Sequence, residues 1–182
     1  MIRNYRDLTR LEMEQVNKDE TIVLIPLGAL EQHGNQAPLG TDDIIAEAMT
    51  DYIRRELEGG PSSEDSDFPM LVFPVIPIGL STEHRNFCGS ITLKPDTYYH
   101  MLYDISTSLV HHGFKKLAFL VCHGGNAPIV QVLSRELRSE FGISPFILSS
   151  GAFSHPDVTA TISEGNIWDF PGGEMETSMV MA

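Results

Sequence analysis

Three short runs of this chain, at residues 21–26, 71–77 and 117–122, are apolar almost without interruption, and a weaker fourth lies at 145–148. Such runs suit strands covered on both faces, the usual condition of a parallel sheet. Between them the period changes. Residues 43–58 place Ile44, Ile45, Ala48, Met49, Ile53 and Leu57 close to a helical repeat. Residues 95–112 begin with Pro95 and Asp96 and stop at Gly113, while Ala127–Phe141 stops at Gly142. The first is a good start-and-stop pair for a helix, and the second carries the stop. Strands alternating with helices predict an α/β fold, a mainly parallel sheet with helices on both faces. Residues 58–69 read as a polar surface loop rather than a boundary, so residues 1–182 are read as one domain. Beyond Ser149 the pattern breaks down, and only the last stretch is suited to start another helix.

Composition removes several function classes. A net charge of −13 argues against a sequence-independent hold on nucleic acid, which needs Lys and Arg to displace counterions. No apolar stretch approaches the length that crosses a bilayer. The opening Met1-Ile-Arg-Asn-Tyr-Arg lacks the apolar core of a secretory signal, which makes a cytoplasmic location the default expectation. Two cysteines, Cys88 and Cys122, make no disulfide framework.

In open α/β sheets ligands bind beyond the carboxyl ends of the strands. The polar clusters here follow the strands one for one. Glu31-Gln32-His33-Gly34 and Gly40-Thr41-Asp42-Asp43 follow the first, Gly79 to His84 the second, and His123-Gly124-Gly125-Asn126 the third. Three loops distant in sequence are thus expected to meet on one sheet edge. Glu31 and His33, two apart in an extended segment, point the same way. Taken singly, each residue has a plain structural reading: His33 as a hydrogen-bonded loop histidine, one of Asp42 and Asp43 as a helix cap. Taken together, carboxylates and imidazoles at strand exits form a nitrogen and oxygen ligand set without thiolate, suited to zinc, manganese or iron.

Other chemistry finds less support. Cys122 adjoins His123, but neighbours on a strand point to opposite faces, so Cys122 reads as a small apolar strand residue. No nucleophile elbow, phosphate-binding glycine loop or dinucleotide fingerprint occurs. His111 and His112 close a helix, His100 falls within it, and His155 reads as a loop residue; none has an evident ligand role. Near the C-terminus Gly172-Gly173 precede Glu174 and Glu176, which read equally as a site approach or as an acidic lead into a helix.

Four segments, "PLGALEQHGNQAPLGTDDIIAEAM", "GLSTEHRNFCGSITL", "HHGFKKLAFLVCHGGN" and "GGEMETSMV", together resemble the creatininase family of amidohydrolases. The resemblance implies a three-layer α/β/α domain, a two-metal site holding zinc or manganese (with iron as a further option), and a homo-oligomer, commonly a hexamer. It implies a metal-dependent hydrolase that cleaves the C–N bond of a cyclic or other small amide with metal-activated water. Metal-ligand roles then fall on Glu31, His33, Asp42 as the bridging carboxylate, and His123. Where creatininase itself has its last carboxylate ligand this chain has Gly125, so the role passes to Glu174. Glu83, His84 and Glu176 are the candidates to protonate the leaving nitrogen. The reading His-Gly-Gly-Asn brings in a second option, a deformylase-like or peptide-trimming hydrolase. A third is a metal- or small-molecule-binding module without turnover. The family continues past the Glu-Thr-Ser segment, so the chain reads as truncated or unusually short.

Overall fold

β1 (Ile2–Asn4), β2 (Ile22–Leu27), β3 (Met70–Val72), β4 (Lys116–Val121) and β5 (Phe146–Ser149) form one sheet in the order β1-β3-β2-β4-β5, with every pairing parallel. The computed structural model describes residues 2–59, 69–150 and 173–181. The helices are α1 (Arg10–Gln15), α2 (Thr41–Gly59), α3 (Pro95–His111), α4 (Ala127–Phe141) and α5 (Glu174–Met181). The expected α/β class, the central strands and the three long helices are all present.

Alternate residues of the central strands feed two separate cores, as the strand period of two requires. On one face Val23, Ile25 and Leu27 of β2 and Leu117, Phe119 and Val121 of β4 pack with α3 and α4, chiefly through Tyr98, Leu102, Leu133 and Leu137. On the other face Leu24, Ala118, Leu120 and Cys122 pack with Ile45, Ala46 and Met49 of α2, and Met179 and Val180 of α5 join them. Helix, sheet and helix make three layers. Leu133 and Leu137 are completely buried, and truncating either to Ala would cost about 2–5 kcal/mol.

Three expectations need correction. The second apolar run predicts a strand over 71–77, but the ladder spans only Met70–Val72 and resumes as a single bridge between Leu27 and Ile76. The reason lies in β2. Pro26, in the middle of the sheet, turns its carbonyl toward this side, accepting from the Ile76 N–H at 3.0 Å, and so has no N–H to offer in the same direction. The chain from Phe73 to Val75, with its own Pro74, bulges where that donor is missing. Next, α2 begins at Thr41 rather than at residue 43, so Asp42 and Asp43 both lie in its first turn, where a carboxylate is favoured by the helix dipole, and neither is its cap. Finally, β1 and α1 are additional elements. Thr9 and Glu12 close a reciprocal capping box that starts α1.

The carboxyl ends of β2, β3 and β4 point to one edge of the sheet. The predicted loop residue His155 and most of the loop at 58–69 lie outside the described residues.

Candidate metal centre

Leaving β2, the chain stays extended because Ile91 donates to the Leu30 carbonyl at 2.8 Å and Glu31 donates to that of Leu39 at 3.0 Å. Glu31 and His33 therefore share a side, as their spacing predicts. Asp42 reaches the same place from the first turn of α2. His123 arrives directly from β4, and His84 ends a short 3-10 turn, Thr82–His84, that follows the β3 exit. Glu31, His33 and Asp42 are 0–1% exposed, His123 6% and His84 9%, so these ionisable groups meet inside the protein.

Asp42 lies between two imidazoles. Its Oδ1 is 3.3 Å from His33 Nε2 and its Oδ2 is 3.3 Å from His123 Nδ1. Glu31 sits across from it, with Oε2 3.3 Å from His123 Nε2 and Oε1 3.5 Å from His84 Nε2. Two triads have ligand atoms all within 4.8 Å of one another, Glu31 with His33 and Asp42, and Glu31 with Glu83 and His123.

Backbone carbonyls set the ring hydrogens. His33 Nδ1–H donates to the Glu31 carbonyl at 3.0 Å, which leaves Nε2 turned toward Asp42. His123 Nε2–H donates to the Leu80 carbonyl at 2.6 Å, leaving Nδ1 turned toward Asp42. Such contacts to the second ring nitrogen are what orient an imidazole as a ligand.

The charges are mutually dependent. Burial raises the Glu31 pKa against the pull of His123 and Ser81, with Asp42 adding repulsion. Burial also disfavours the Asp42 anion, but His123 and His33 outweigh it and hold that carboxyl below its ordinary value. For His33 burial works against the cation, yet Asp42, the Glu31 carbonyl and Glu176 raise its pKa overall. The same contest carries His123 to about 9, through Asp42 and Glu31. Protons and cations thus compete for the inward nitrogens of both rings.

Whether a cation fits is answered by the orphaned atoms. Both carboxylate oxygens of Glu31 and of Asp42, and Nε2 of His33 and of His84, are buried without a hydrogen-bond partner. Burying such an atom unpaired costs about 1–3 kcal/mol, more when charged. Oxygens and imidazole nitrogens converging in one buried space are what a divalent cation satisfies together. The donor set fits the group.

The remaining expected residues divide. Glu83, half exposed, brings Oε1 to 4.0 Å from His123 Nε2 at the cage mouth. Glu176 brings Oε2 to 3.6 Å from His33 Nε2. Glu174 opens α5, its backbone carbonyl accepting from Ser178 Oγ, and it belongs to neither triad. Gly125 explains its own lack of a side chain: a Cβ there would run into the Leu80 carbonyl and His123 Nε2. A carboxylate at this position would collide with the contact that orients His123. Cys122 is buried in the α2-side core, with burial pushing its thiol up to about 12, consistent with its reading as an apolar strand residue. Asp43, whose burial and whose neighbour Asp42 push it up to about 7, lines a separate cavity of about 440 Å³ with Glu47, Arg54 and Phe73 rather than the cage.

Two residues escape the sequence pattern. Asn126, fully buried, donates through Nδ2 to the Gly28 carbonyl at 2.9 Å and accepts at Oδ1 from the Leu80 N–H at 3.0 Å. It ties the β2 exit to the loop that orients His123. Its place in His-Gly-Gly-Asn is visible in the sequence, but its partners come from turns 46 and 98 residues away. Gln32 contacts His84, and only the fold reveals that pairing.

Fold and cage together define an α/β protein with a candidate metal site at the carboxyl edge of a parallel sheet. The chain belongs to the creatininase family, whose model, described as creatinine amidohydrolase, matches residues 6–182. It is 33% identical over 118 residues to a mycofactocin precursor peptide peptidase of Mycobacterium ulcerans, covering 65% of this chain and 46% of that one. To creatinine amidohydrolase of Pseudomonas putida it is 28% identical over 193 residues, 97% of this chain and 70% of the relative. Among solved structures, a zinc–zinc creatininase variant superposes with a TM-score of 0.79 at 26% identity, covering 98% of this chain and 71% of the other. A manganese creatininase gives 0.75 at 25% identity, with the same coverage. The chain spans just under half the length of the peptidase relatives it matches.

Proposed function

We propose that residues 1–182 form one metallohydrolase domain that cleaves the C–N bond of an amide. The observation that carries this reading is Asp42, whose two oxygens each face a different imidazole inside a cage of orphaned carboxylate oxygens. Two divalent cations are proposed, zinc or manganese as in the names of the structural relatives, with iron as a further option. Glu31, His33, Asp42 and His123 would hold them. A carboxylate of α5 would complete the set: Glu174 by the family pattern, Glu176 by its 3.6 Å approach to His33.

What the cations supply when bound is Lewis acidity, which polarises an amide carbonyl and makes water a nucleophile near neutral pH. The protein does the rest. Gly124 and Gly125 open the 3-10 turn after β4, where N–H groups have no intrahelical acceptor and are suited to a developing oxyanion. Glu83, His84 and Glu176 surround the cage and are the candidates to deliver a proton to the departing nitrogen. The substrate is proposed to be a small or cyclic amide, and the family pattern supports a homo-oligomer, hexameric in its common form. Among the described residues no helix is long and apolar enough to cross a membrane.

A second reading, trimming of an exposed peptide or formamide bond, is favoured by Gly125 and by the 33% identity to a precursor-peptide peptidase. The test is a panel of creatinine, formamides and short peptides, with the protein loaded with zinc or manganese. Release of amine from at least one amide, lost in Asp42→Asn, is the expected result. Stoichiometric metal with no hydrolysis anywhere on the panel would favour a binding module without turnover.

A further inference from the structure

Gln32 stands between two cage residues in sequence yet turns its side chain elsewhere. The Gly34 N–H donates to Gln32 Oε1 at 3.0 Å. Only the oxygen end of a carboxamide accepts, so this one contact decides which way the amide points. Its NH₂ end is then the atom 2.9 Å from His84 Nδ1. An amide NH₂ has no lone pair to offer a ring N–H; hence Nδ1 accepts and the imidazole hydrogen resides on Nε2. That nitrogen is the one facing the cage, 3.5 Å from Glu31 Oε1. The local chain is built for the contact. Gly34 takes a positive φ of 73°, which turns its N–H back onto Gln32, and the Gln32 N–H donates to Ser90 Oγ at 3.0 Å, pinning the strand exit beside the His84 loop.

The contrast with the other two rings is sharp. In His33 and His123 a carbonyl takes the hydrogen of one ring nitrogen, and the nitrogen facing Asp42 is left for a cation. In His84 an amide donor occupies the outer nitrogen, and the inward one carries the hydrogen. We propose that Gln32 is a positioning residue that fixes His84 as the Nε2–H tautomer, making it a hydrogen-bond donor to anionic oxygen at the cage. His84 is then neither a metal ligand nor the acid for the leaving nitrogen. Ligation through Nε2 would require losing the hydrogen that Gln32 keeps there. Acting as an acid would require a second hydrogen on Nδ1, directly opposite the amide N–H. Proton delivery falls to Glu83 or Glu176. The claim about ligation rests on the proposed metal site; the tautomer does not.

Ring ¹⁵N spectra of histidine-labelled protein loaded with ¹¹³Cd test both parts, with His84 assigned by the signal missing in His84→Gln. The expected pattern for His84 is a pyridine-type Nδ1, a pyrrole-type Nε2 and no cadmium coupling, while His33 and His123 couple to cadmium. Gln32→Glu replaces the donor by an acceptor and should move hydrogen onto Nδ1, lowering kcat about 10–100-fold with a smaller change in KM. A hydrogen on Nδ1 of the unmodified protein, cadmium coupling at His84, or an unchanged His84 pattern in Gln32→Glu would each overturn the proposal. Absence of coupling at all three rings, with the tautomer as stated, would instead remove the metal reading and leave the Gln32 assignment standing.

Discussion

Glu31, His33 and Asp42 are supplied by one continuous stretch, from the end of β2 to the first turn of α2, and are buried to 0–1% exposure. The opposite wall is assembled differently, for Glu176 arrives on α5, an eight-residue helix with no fully buried residue, and its side chain is 23% exposed. The first wall is held by ladder bonds, by α2 packing and by the Asn126 tie. The second depends on Met179 and Val180 lying against the α2-side core. Contributions intrinsic to the sheet are thereby separated from those docked onto it. The sheet side should bind cations in any state in which the sheet is folded, and the α5 side should tune affinity.

The strongest consequence of this contrast falls at Asp42. Asp42→Asn removes the charge shared by both imidazoles and should abolish stoichiometric metal by elemental analysis. The accompanying loss of turnover should be roughly a thousandfold, about 4 kcal/mol of barrier. Retention of full metal would break the idea that the β2–α2 wall is primary.

Asn126→Ala comes next and acts on stability. It strips partners from the buried Gly28 carbonyl and Leu80 N–H, each worth about 1–3 kcal/mol, so denaturant unfolding should show a loss of about 2–6 kcal/mol. A change below about 0.5 kcal/mol would contradict its role as the tie between the β2 exit and the Leu80 loop.

On the docked side the effects should be smaller and should separate two carboxylates. Glu176→Ala should weaken metal binding about 10–100-fold, with Glu174→Ala affecting it less. The reverse order would return the ligand role to Glu174, where the family pattern puts it.

The mildest effect is a pH dependence. His123 has a folded pKa raised from 6.5 to about 9, so its protonation adds stability that is fully present below about 6.5 and is lost as pH rises through about 9. A cation needs that nitrogen free. Manganese affinity by calorimetry should therefore tighten across the same interval, by up to about tenfold per pH unit for each proton released. Affinity that is flat with pH would mean that His123 is not displaced from its proton by metal.

Much of the sheet-side wall is legible in the amino-acid sequence. The apolar runs of β2 and β4 are long enough to show burial on both faces, and ligands beyond strand ends are a rule of such sheets. Glu31, His33, Asp42 and His123 can be read from spacing and family pattern together. What cannot be read are the features set by distant partners. β1 is three residues long and carries no period, although Thr9 and Glu12 offer a capping signal for the helix after it. Pro26 in a central strand argues against the very ladder it belongs to, until the bulge at Phe73–Val75 accounts for its missing donor. The choice between Glu174 and Glu176 turns on the rotation of α5 against the cage, which no local pattern encodes. The hydrogen on His84 is fixed by Gly34 through Gln32, a contact that joins two loops and leaves no mark in either one alone.

The proposal that carboxylates and imidazoles from separate turns hold cations around Asp42 carries the rest of the functional reading. Anomalous diffraction at the zinc or manganese edge, from crystals of the metal-loaded protein, decides it. Peaks touching Asp42, with His33 on one side and His123 on the other, are the predicted result. No peak at the carboxyl edge of β2 and β4, with Glu31 and Asp42 paired only to protonated histidines, would contradict it.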